Sequence, residues 1–228
     1  MLEELLKNSL LKEQEDRKLR QRSGKFNPSS FGFCFRRQIW NRANVEPSNP
    51  PDLKGLIIFR VGKWYHDGLE SVLPEHQTEV EVSEYDVRGF ADIVLADEVI
   101  DLKSIREWGF KKIKDLRDAE IFEQKPESVI QVCYYAMVLG KPTARLIYIA
   151  KDSHAVKEFE LNVEDFADVI NDELIILRGH WKIYQESNNF EHKHILPKAA
   201  ARLYGGKECN YCQFRDKCQE VKPDKKVF

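Results

Sequence analysis

Residues Gly89–Lys103 read GFADIVLADEVIDLK, and they are the most informative part of the sequence. Apolar residues alternate or cluster on both sides of Ala96-Asp97-Glu98, which predicts two strands joined by a turn. Because side chains alternate along a strand, Asp101 and Lys103 are expected to share one face. Asp92 lies on the preceding strand, so the hairpin is expected to bring its carboxylate towards Asp101.

Two carboxylates at Asp92 and Asp101 repel each other unless a cation lies between them. A hard divalent ion such as Mg²⁺ or Mn²⁺ prefers oxygen ligands, and the backbone carbonyl of Leu102 offers one more. Such an ion polarises a phosphoryl oxygen and helps to generate hydroxide, while Lys103 is placed to position water or to stabilise negative charge. The alternative is a solvated strand edge, where Asp-x-Lys often forms only a surface ion pair.

Outside this hairpin, the spacing of apolar residues predicts further strands and helices. The predicted strands are Thr78–Val82, Val87–Leu95, Val99–Lys103, Arg145–Ala150 and Val156–Leu161. The predicted helices are residues 2–21, Phe31–Trp40 with Ser29 or Ser30 as N-cap, Leu56–Leu73, the region around Phe110–Asp118, Val129–Leu139 and Val163–Tyr184. This order predicts an α/β fold in which helices flank a mixed central sheet.

The composition indicates a packed protein without an overall basic charge. The 228 residues are 42% hydrophobic and 32% charged, and the net charge is −2. This balance excludes a uniformly basic nucleic-acid coat, so any nucleic acid would be bound through a local basic groove. We find no secretory signal and no run of about 18 apolar residues, which predicts a cytoplasmic protein with reduced thiols and no membrane segment.

Five cysteines occur in the chain, and three of them fall within ten residues. An odd number of cysteines in a reducing compartment argues against a disulfide framework, and the spacing of Cys209, Cys212 and Cys218 indicates metal binding. Cys34 is the candidate for a fourth ligand, because Cys133 falls within a predicted helix and is expected to be a small buried thiol. The spacing alone fits a Zn²⁺ ion with four thiolate ligands as well as an iron–sulphur cluster.

Basic residues alternate with aromatic residues in the segment 104–114, directly after Lys103. This pattern is typical of a surface that contacts phosphates and stacks bases. The candidate DNA contacts are Lys111, Lys112 and Lys114, together with Arg36 and Arg37 near the N-terminus. The alternative is that these charges form a solvated helix face and pair with nearby acidic residues.

Gly89-x-x-Asp92 and Asp101-x-Lys103 together resemble motifs II and III of the RecB-like branch of the PD-(D/E)XK nucleases. That branch also has a Gly-x-x-x-His helix upstream, which resembles Gly62–His66 here, and a Gln-x-x-x-Tyr helix downstream, which resembles Gln131–Tyr135. All four motifs occur in the order of the family. The resemblance covers residues 30–220 of the chain.

The resemblance implies a restriction-endonuclease-like core and a role for each matching residue. His66, Asp92 and Asp101 would be ligands of Mg²⁺ or Mn²⁺, assisted by the Leu102 carbonyl. Lys103 would be the catalytic lysine. Gln131 and Tyr135 would organise this lysine and the DNA backbone, and residues four apart do lie on one face of a helix. The family also implies a glutamate on the first strand, for which Glu79 and Glu81 are both candidates.

One early cysteine followed by Cys-x-x-Cys-x5-Cys resembles the iron–sulphur subset of this branch, which includes CRISPR-associated RecB-like exonucleases and phage homologues. The resemblance implies that Cys34, Cys209, Cys212 and Cys218 hold a structural [4Fe–4S] cluster. A Zn²⁺ ion bound by the same thiolates is the alternative.

Taken together, the resemblance implies a metal-dependent exonuclease that acts on single-stranded DNA or DNA ends in a prokaryotic or phage-infected cell. Recombination or CRISPR adaptation proteins are the implied partners. The expected organisation is an N-terminal helical segment (residues 1–27), a nuclease core (28–200) and a cysteine tail (201–228). The alternatives are a catalytically silent DNA-binding scaffold and a zinc-stabilised interaction module.

Overall fold

The computed structural model describes residues 2–21, 24–72, 77–186 and 204–219. Its helices are α1 (Leu2–Gln21), α2 (Phe35–Arg42), α3 (Leu53–Glu70), α4 (Glu107–Phe110), α5 (Ile121–Gln124), α6 (Pro126–Val138), α7 (Ala167–Glu186) and α8 (Arg215–Gln219). Short 3-10 helices occur at Pro28–Ser30, Asp118–Glu120, Val163–Phe166 and Tyr204–Tyr211. Among the helices described, none is both long enough and apolar enough to cross a membrane.

A five-stranded sheet contains the strands β1 (Gln77–Glu84), β2 (Val87–Val94), β3 (Glu98–Ile105), β4 (Thr143–Ala150) and β5 (Val156–Asn162). The strands lie side by side in chain order. The β3–β4 pair is parallel and the other neighbouring pairs are antiparallel, so the sheet is mixed. The crossover between β3 and β4 contains α4, α5 and α6, as parallel pairing requires.

The chain divides into two compact units. The first, which we call the sheet unit, consists of Asn27–Phe31 and Ile57–Asn171 and contains all five strands. The second, which we call the cysteine unit, consists of Met1–Phe26, Gly32–Leu56 and Asp172–Phe228. Both units are assembled from separated segments, whereas the division predicted from the sequence follows chain order.

Helices cover both faces of the sheet within the sheet unit. On one face, Leu69 of α3 packs against a cluster formed by Ile93, Ile100 and Leu102. The other face meets α6, in which residues 128–136 are all buried. The predicted α/β fold with a mixed central sheet flanked by helices is therefore confirmed. Burial of both faces explains why β3 and β4 are rich in apolar residues.

The cysteine unit is held together by contacts between α2, α7 and the segment 204–219. The Trp40 ring meets the Phe214 ring edge-on with centroids 5.3 Å apart. Glu173 accepts hydrogen bonds from the Gly32 amide and the Gln38 side chain, both at 3.0 Å. Residues distant in sequence thus pack together in this unit.

Two predicted helices differ from the structure. The helix predicted at Phe31–Trp40 begins only at Phe35, because the Asn27 side chain accepts from the Ser29 amide and caps a separate 3-10 turn. Gly32 then adopts a left-handed φ of 77°, which interrupts helical geometry. The helix predicted around Phe110–Asp118 consists mainly of turns that follow α4.

Candidate active site

The β2–β3 hairpin places Asp92 beside β3. Backbone pairing between the two strands is limited to Ile93 with Ile100 and Val94 with Val99. At the next position the ladder stops, and the Leu102 amide donates to Asp92 Oδ2 at 3.0 Å instead. A carboxylate therefore replaces a backbone carbonyl, and the strands separate where the candidate site begins.

Asp101 is the most deeply buried charged group of the site, with 1% of the side chain exposed. Lys103 Nζ donates to its Oδ1 at 2.9 Å and lies 2.8 Å from its Oδ2. Burial raises the pKa of Asp101 to about 6 against the attraction of Lys103, and the neighbouring Asp92 raises it further. Burial likewise raises the pKa of Asp92 to about 6.

Lys103 is held in its charged form by these carboxylates. Burial alone lowers the pKa of the ammonium, but Asp101 and Asp92 outweigh burial, and the pKa is raised. Nζ also donates to Gln131 Oε1 at 3.2 Å. The lysine is therefore fixed between a carboxylate on its own strand and an amide on α6.

Gln131 and Tyr135 lie one turn apart on α6, and both are buried. The Tyr135 side chain is hydrogen-bonded to Gln131, and burial together with Asp101 and Asp92 raises the pKa of its hydroxyl. Tyr134 points elsewhere, since its ring meets the Phe31 ring edge-on at 5.2 Å. The structure thus places Tyr135, rather than its neighbour, in the hydrogen-bond chain that ends at Lys103.

His66 approaches the site from α3. Its Nδ1 lies 3.4 Å from Asp92 Oδ2. Burial lowers the pKa of the imidazole, and Lys103 and Lys63 lower it further against the attraction of Asp101. The lowered pKa favours the neutral ring, which is the form that binds metals.

Within residues 2–21, 24–72, 77–186 and 204–219, no three His, Cys, Asp or Glu side chains are grouped closely enough to form a finished metal centre. The chemistry of Asp92, Asp101 and His66 nevertheless fits a divalent ion. These two desolvated carboxylates share one ammonium, that of Lys103, so one negative charge is unbalanced when both are ionised. A hard cation supplies the missing positive charge.

Three glutamates raise the pKa of predicted site residues, namely Glu70 and Glu79 for Asp92 and Glu127 for Lys103. Of the two candidates on β1, Glu81 pairs with Arg88 at 2.8 Å, whereas Glu79 raises the pKa of the Asp92 carboxyl. Glu79 has a φ of 49°, an uncommon value for a residue with a side chain. Glu127 raises the pKa of Lys103, and its position four residues before Gln131 was the signal that could have revealed it.

The four predicted cluster ligands lie in the cysteine unit. The Cys34 amide donates to Glu208 Oε2 at 3.1 Å, which joins the start of α2 to the residue before Cys209. Burial raises the pKa of the Cys212 thiol, whereas the charge of Arg37 lowers it. By contrast, Cys133 is fully buried in the sheet unit, where burial raises the pKa of its thiol to about 12.

The predicted DNA contacts have different surroundings. Arg36 is only 3% exposed, and its Nη1 donates to Cys218 Sγ at 3.1 Å, so this side chain faces the cysteines. The Arg37 guanidinium lies over the Phe33 ring at 4.7 Å. The remaining candidates are exposed, and they are Lys111, Lys112 and Lys114. Lys112 Nζ lies 3.7 Å from the centre of the Trp108 ring.

Several solved structures are similar to this chain. The crystal structure of SSO0001 matches this chain with a TM-score of 0.57 and 20% identity, over 100% of this chain and 98% of that chain. The alkaline exonuclease LHK-Exo from Laribacter hongkongensis matches with a TM-score of 0.49 and 10% identity over 76% of this chain and 97% of that chain. The complex of LHK-Exo with dAMP matches with a TM-score of 0.48 and 12% identity over 74% of this chain and 95% of that chain.

No protein-family model and no curated protein sequence matches the chain. At 20% identity, the likeness to SSO0001 shows that the two chains share a fold along their length.

Proposed function

We propose that this chain is a metal-dependent nuclease that hydrolyses phosphodiester bonds in DNA. The observation that carries the proposal is the position of Lys103, a cation fixed between Asp101 and Gln131 beside the second buried carboxylate, Asp92. A structural ion pair needs one carboxylate. A second desolvated carboxylate adds repulsion, and it has a chemical use where a divalent ion and a phosphate are bound.

Asp92, Asp101 and His66 would hold Mg²⁺ or Mn²⁺, with the Leu102 carbonyl as a further donor. When bound, the ion supplies Lewis-acid polarisation of the phosphoryl oxygen and lowers the pKa of water. Metal binding is expected to be favourable because a cation offsets the desolvation and repulsion that raise the pKa of both carboxyls.

The protein's own contribution is electrostatic and positional. The Lys103 ammonium faces the site and stabilises the negative charge that develops on the phosphate as water attacks and the bridging P–O bond breaks. Because its pKa is raised, Lys103 donates hydrogen bonds and does not act as a general base at neutral pH. Gln131 and Tyr135 keep the ammonium in place, so little reorganisation is needed during the reaction.

We infer that the substrate is single-stranded DNA or a DNA end, on which the chain acts as an exonuclease. The supporting observation is Trp108, which is 72% exposed and carries Lys112 over its ring, shortly after β3. An exposed aromatic ring with a cation beside it suits stacking on unpaired bases and contact with phosphates.

We also propose that Cys34, Cys209, Cys212 and Cys218 hold a [4Fe–4S] cluster, with Zn²⁺ as the alternative. Arg36 Nη1 donates to Cys218 Sγ at 3.1 Å, and the charge of Arg37 lowers the pKa of the Cys212 thiol against the burial that raises it. The visible absorbance spectrum of anaerobically purified protein distinguishes the two, because a [4Fe–4S] cluster absorbs visible light and Zn²⁺ does not.

The test of nuclease activity is cleavage of end-labelled single-stranded DNA with Mn²⁺ or Mg²⁺. Lys103→Ala is expected to slow cleavage by about 10²- to 10⁴-fold, because the transition-state charge loses its cation. Lys141→Ala is the matched control, since Lys141 Nζ donates to the Ala96 carbonyl away from the site. If the wild type binds DNA but cuts nothing with any divalent ion, the chain is a DNA-binding scaffold.

A further inference from the structure

A pair of cations lies at the carboxyl ends of β3 and β4. The Lys151 amide donates to the Ile105 carbonyl at 2.8 Å, which extends the parallel pairing by one residue beyond Ala150. Arg106 follows Ile105 directly, so Arg106 and Lys151 leave adjacent strands side by side. Arg106 is exposed and Lys151 is half-buried.

These two positive charges are not neutralised by direct pairing. Among the residues that the structure describes, neither the Arg106 guanidinium nor Lys151 Nζ has a hydrogen-bond or ion-pair partner. Burial and the charge of Arg106 lower the pKa of Lys151, which Asp152 only partly offsets. Asp152 itself accepts from the Glu107 amide at 2.8 Å. Two adjacent cations without a bound carboxylate form a suitable site for an anion.

Hydrogen bonds from three residues hold the turn that carries Lys151. The Tyr65 hydroxyl donates to the Lys151 carbonyl at 3.2 Å and lies 3.3 Å from His154 Nδ1. His154 has a φ of 58°, a left-handed conformation that is costly for a residue with a side chain. Its amide donates to the Ala150 carbonyl at 2.9 Å, which closes the turn. Tyr65 precedes His66 on α3, so one helix fixes both this turn and the candidate metal ligand.

The cation pair lies a short distance from the candidate catalytic lysine. Arg106 is three residues beyond Lys103, which corresponds to about 10 Å along a strand at about 3.3 Å per residue. A DNA backbone of a few nucleotides spans this distance, and it would contact the pair beyond the carboxyl end of β3.

We propose that Arg106 and Lys151 form a phosphate-binding subsite that grips the DNA backbone a few nucleotides from the scissile bond, with Tyr65 and His154 positioning the turn. The proposal rests on the proposed nuclease function for the identity of its ligand. Its role is to fix the register of the strand, so that a phosphate reaches Lys103 in a productive position.

The test measures binding of fluorescent oligothymidylate in EDTA, where no cleavage occurs, over a series of salt concentrations. The double variant Arg106→Gln/Lys151→Gln is expected to bind about tenfold or more weakly, and the slope of log K against log salt should fall by about 0.7 for each phosphate that is no longer neutralised. Lys151→Arg keeps the charge and is expected to retain wild-type affinity. Lys141→Gln, before the amino end of β4, is the matched control.

The outcomes separate the two proposals. If wild type cleaves DNA and the folded double variant keeps both the affinity and the salt slope, the subsite is overturned and the nuclease stands. If wild type does not cleave but the double variant loses affinity that Lys151→Arg retains, the subsite stands and the nuclease fails. Equal losses per removed charge in the double variant and in Lys141→Gln would overturn the subsite, because they indicate a general effect of charge.

Discussion

Asp92 illustrates how a single carboxylate performs two tasks. It faces the candidate metal site. It also accepts a hydrogen bond from the Leu102 amide, which has no backbone partner in the β2–β3 ladder. The first task needs a charge, whereas the second needs only an acceptor. Asparagine at this position separates the two tasks, because its amide oxygen still accepts while the charge is removed.

The charge of Asp92 is expected to destabilise the metal-free protein at neutral pH. Its pKa is raised to about 6, so the folded state binds the proton more tightly than the unfolded state. The stability that this proton contributes is therefore full below about pH 4 and is lost as the pH rises through about 6. Asp92→Asn is expected to be more stable than wild type by about 1–3 kcal/mol at pH 7.5 in EDTA, and equal to it near pH 4.

Urea unfolding at both pH values checks this expectation. Asp97→Asn, in the exposed turn between β2 and β3, is the control and is expected to change little. A variant at Asp92 that is less stable than wild type at pH 7.5 would contradict the electrostatic explanation.

At the scale of elements, strands were the most predictable feature. The five strands appear where alternating and β-branched residues predicted them, with ends that differ by a few residues. The Gln131–Tyr135 spacing also placed two site residues on one helix face. The end of the β2–β3 ladder at Ile93 was not predictable, because it depends on a side chain that competes with the backbone. The proximity of Arg106 to Lys151 was equally unpredictable, since only parallel pairing of β3 with β4 brings them together.

The contact between β2 and α6 depends on the absence of a side chain at Gly89. A Cβ there would lie 2.5 Å from Tyr135 Oη and 2.8 Å from Pro28 Cδ. Gly89→Ala is therefore expected to destabilise the protein by about 1–3 kcal/mol and to displace the tyrosine that supports Gln131. Thermal unfolding and the cleavage rate measure the two effects.

Gly68→Ala is the matched control for this prediction, because a Cβ at Gly68 meets nothing within 4 Å and alanine favours the helix. A Gly89→Ala protein with wild-type stability and cleavage would show that Tyr135 is not constrained by β2.

At the scale of the whole molecule, each unit carries one candidate centre. The sheet unit contains His66, Asp92, Asp101 and Lys103, and the cysteine unit contains Cys34, Cys209, Cys212 and Cys218. The net charge of −2 is compatible with DNA binding if the contacting cations are those that follow β3 and β4. Few phosphates are then contacted, and we expect a shallower salt dependence than that of a uniformly basic protein.

Loss of the proposed cluster is expected to affect one unit selectively. Chelation or Cys34→Ser removes ligands that join α2 to the segment 204–219, so amide hydrogen exchange should accelerate in both segments. Exchange in β3, β4 and α6 is expected to stay slow. Mass spectrometry of exchanged peptides makes this measurement, and Cys133→Ala, which should keep the visible absorbance, is the control. Uniform acceleration throughout the chain would contradict a local structural role.

The hydrogen bond from the Leu102 amide to Asp92 has an evolutionary consequence. A descendant of this gene released from selection for cleavage is free to lose the negative charge at position 92, but it still has to satisfy the Leu102 N–H. Inactive copies are therefore expected to drift first towards asparagine or serine at that position, and alanine or valine should arise only with compensating changes nearby. A protein that has lost its catalytic activity in this way is expected to keep the structure of the β2–β3 hairpin.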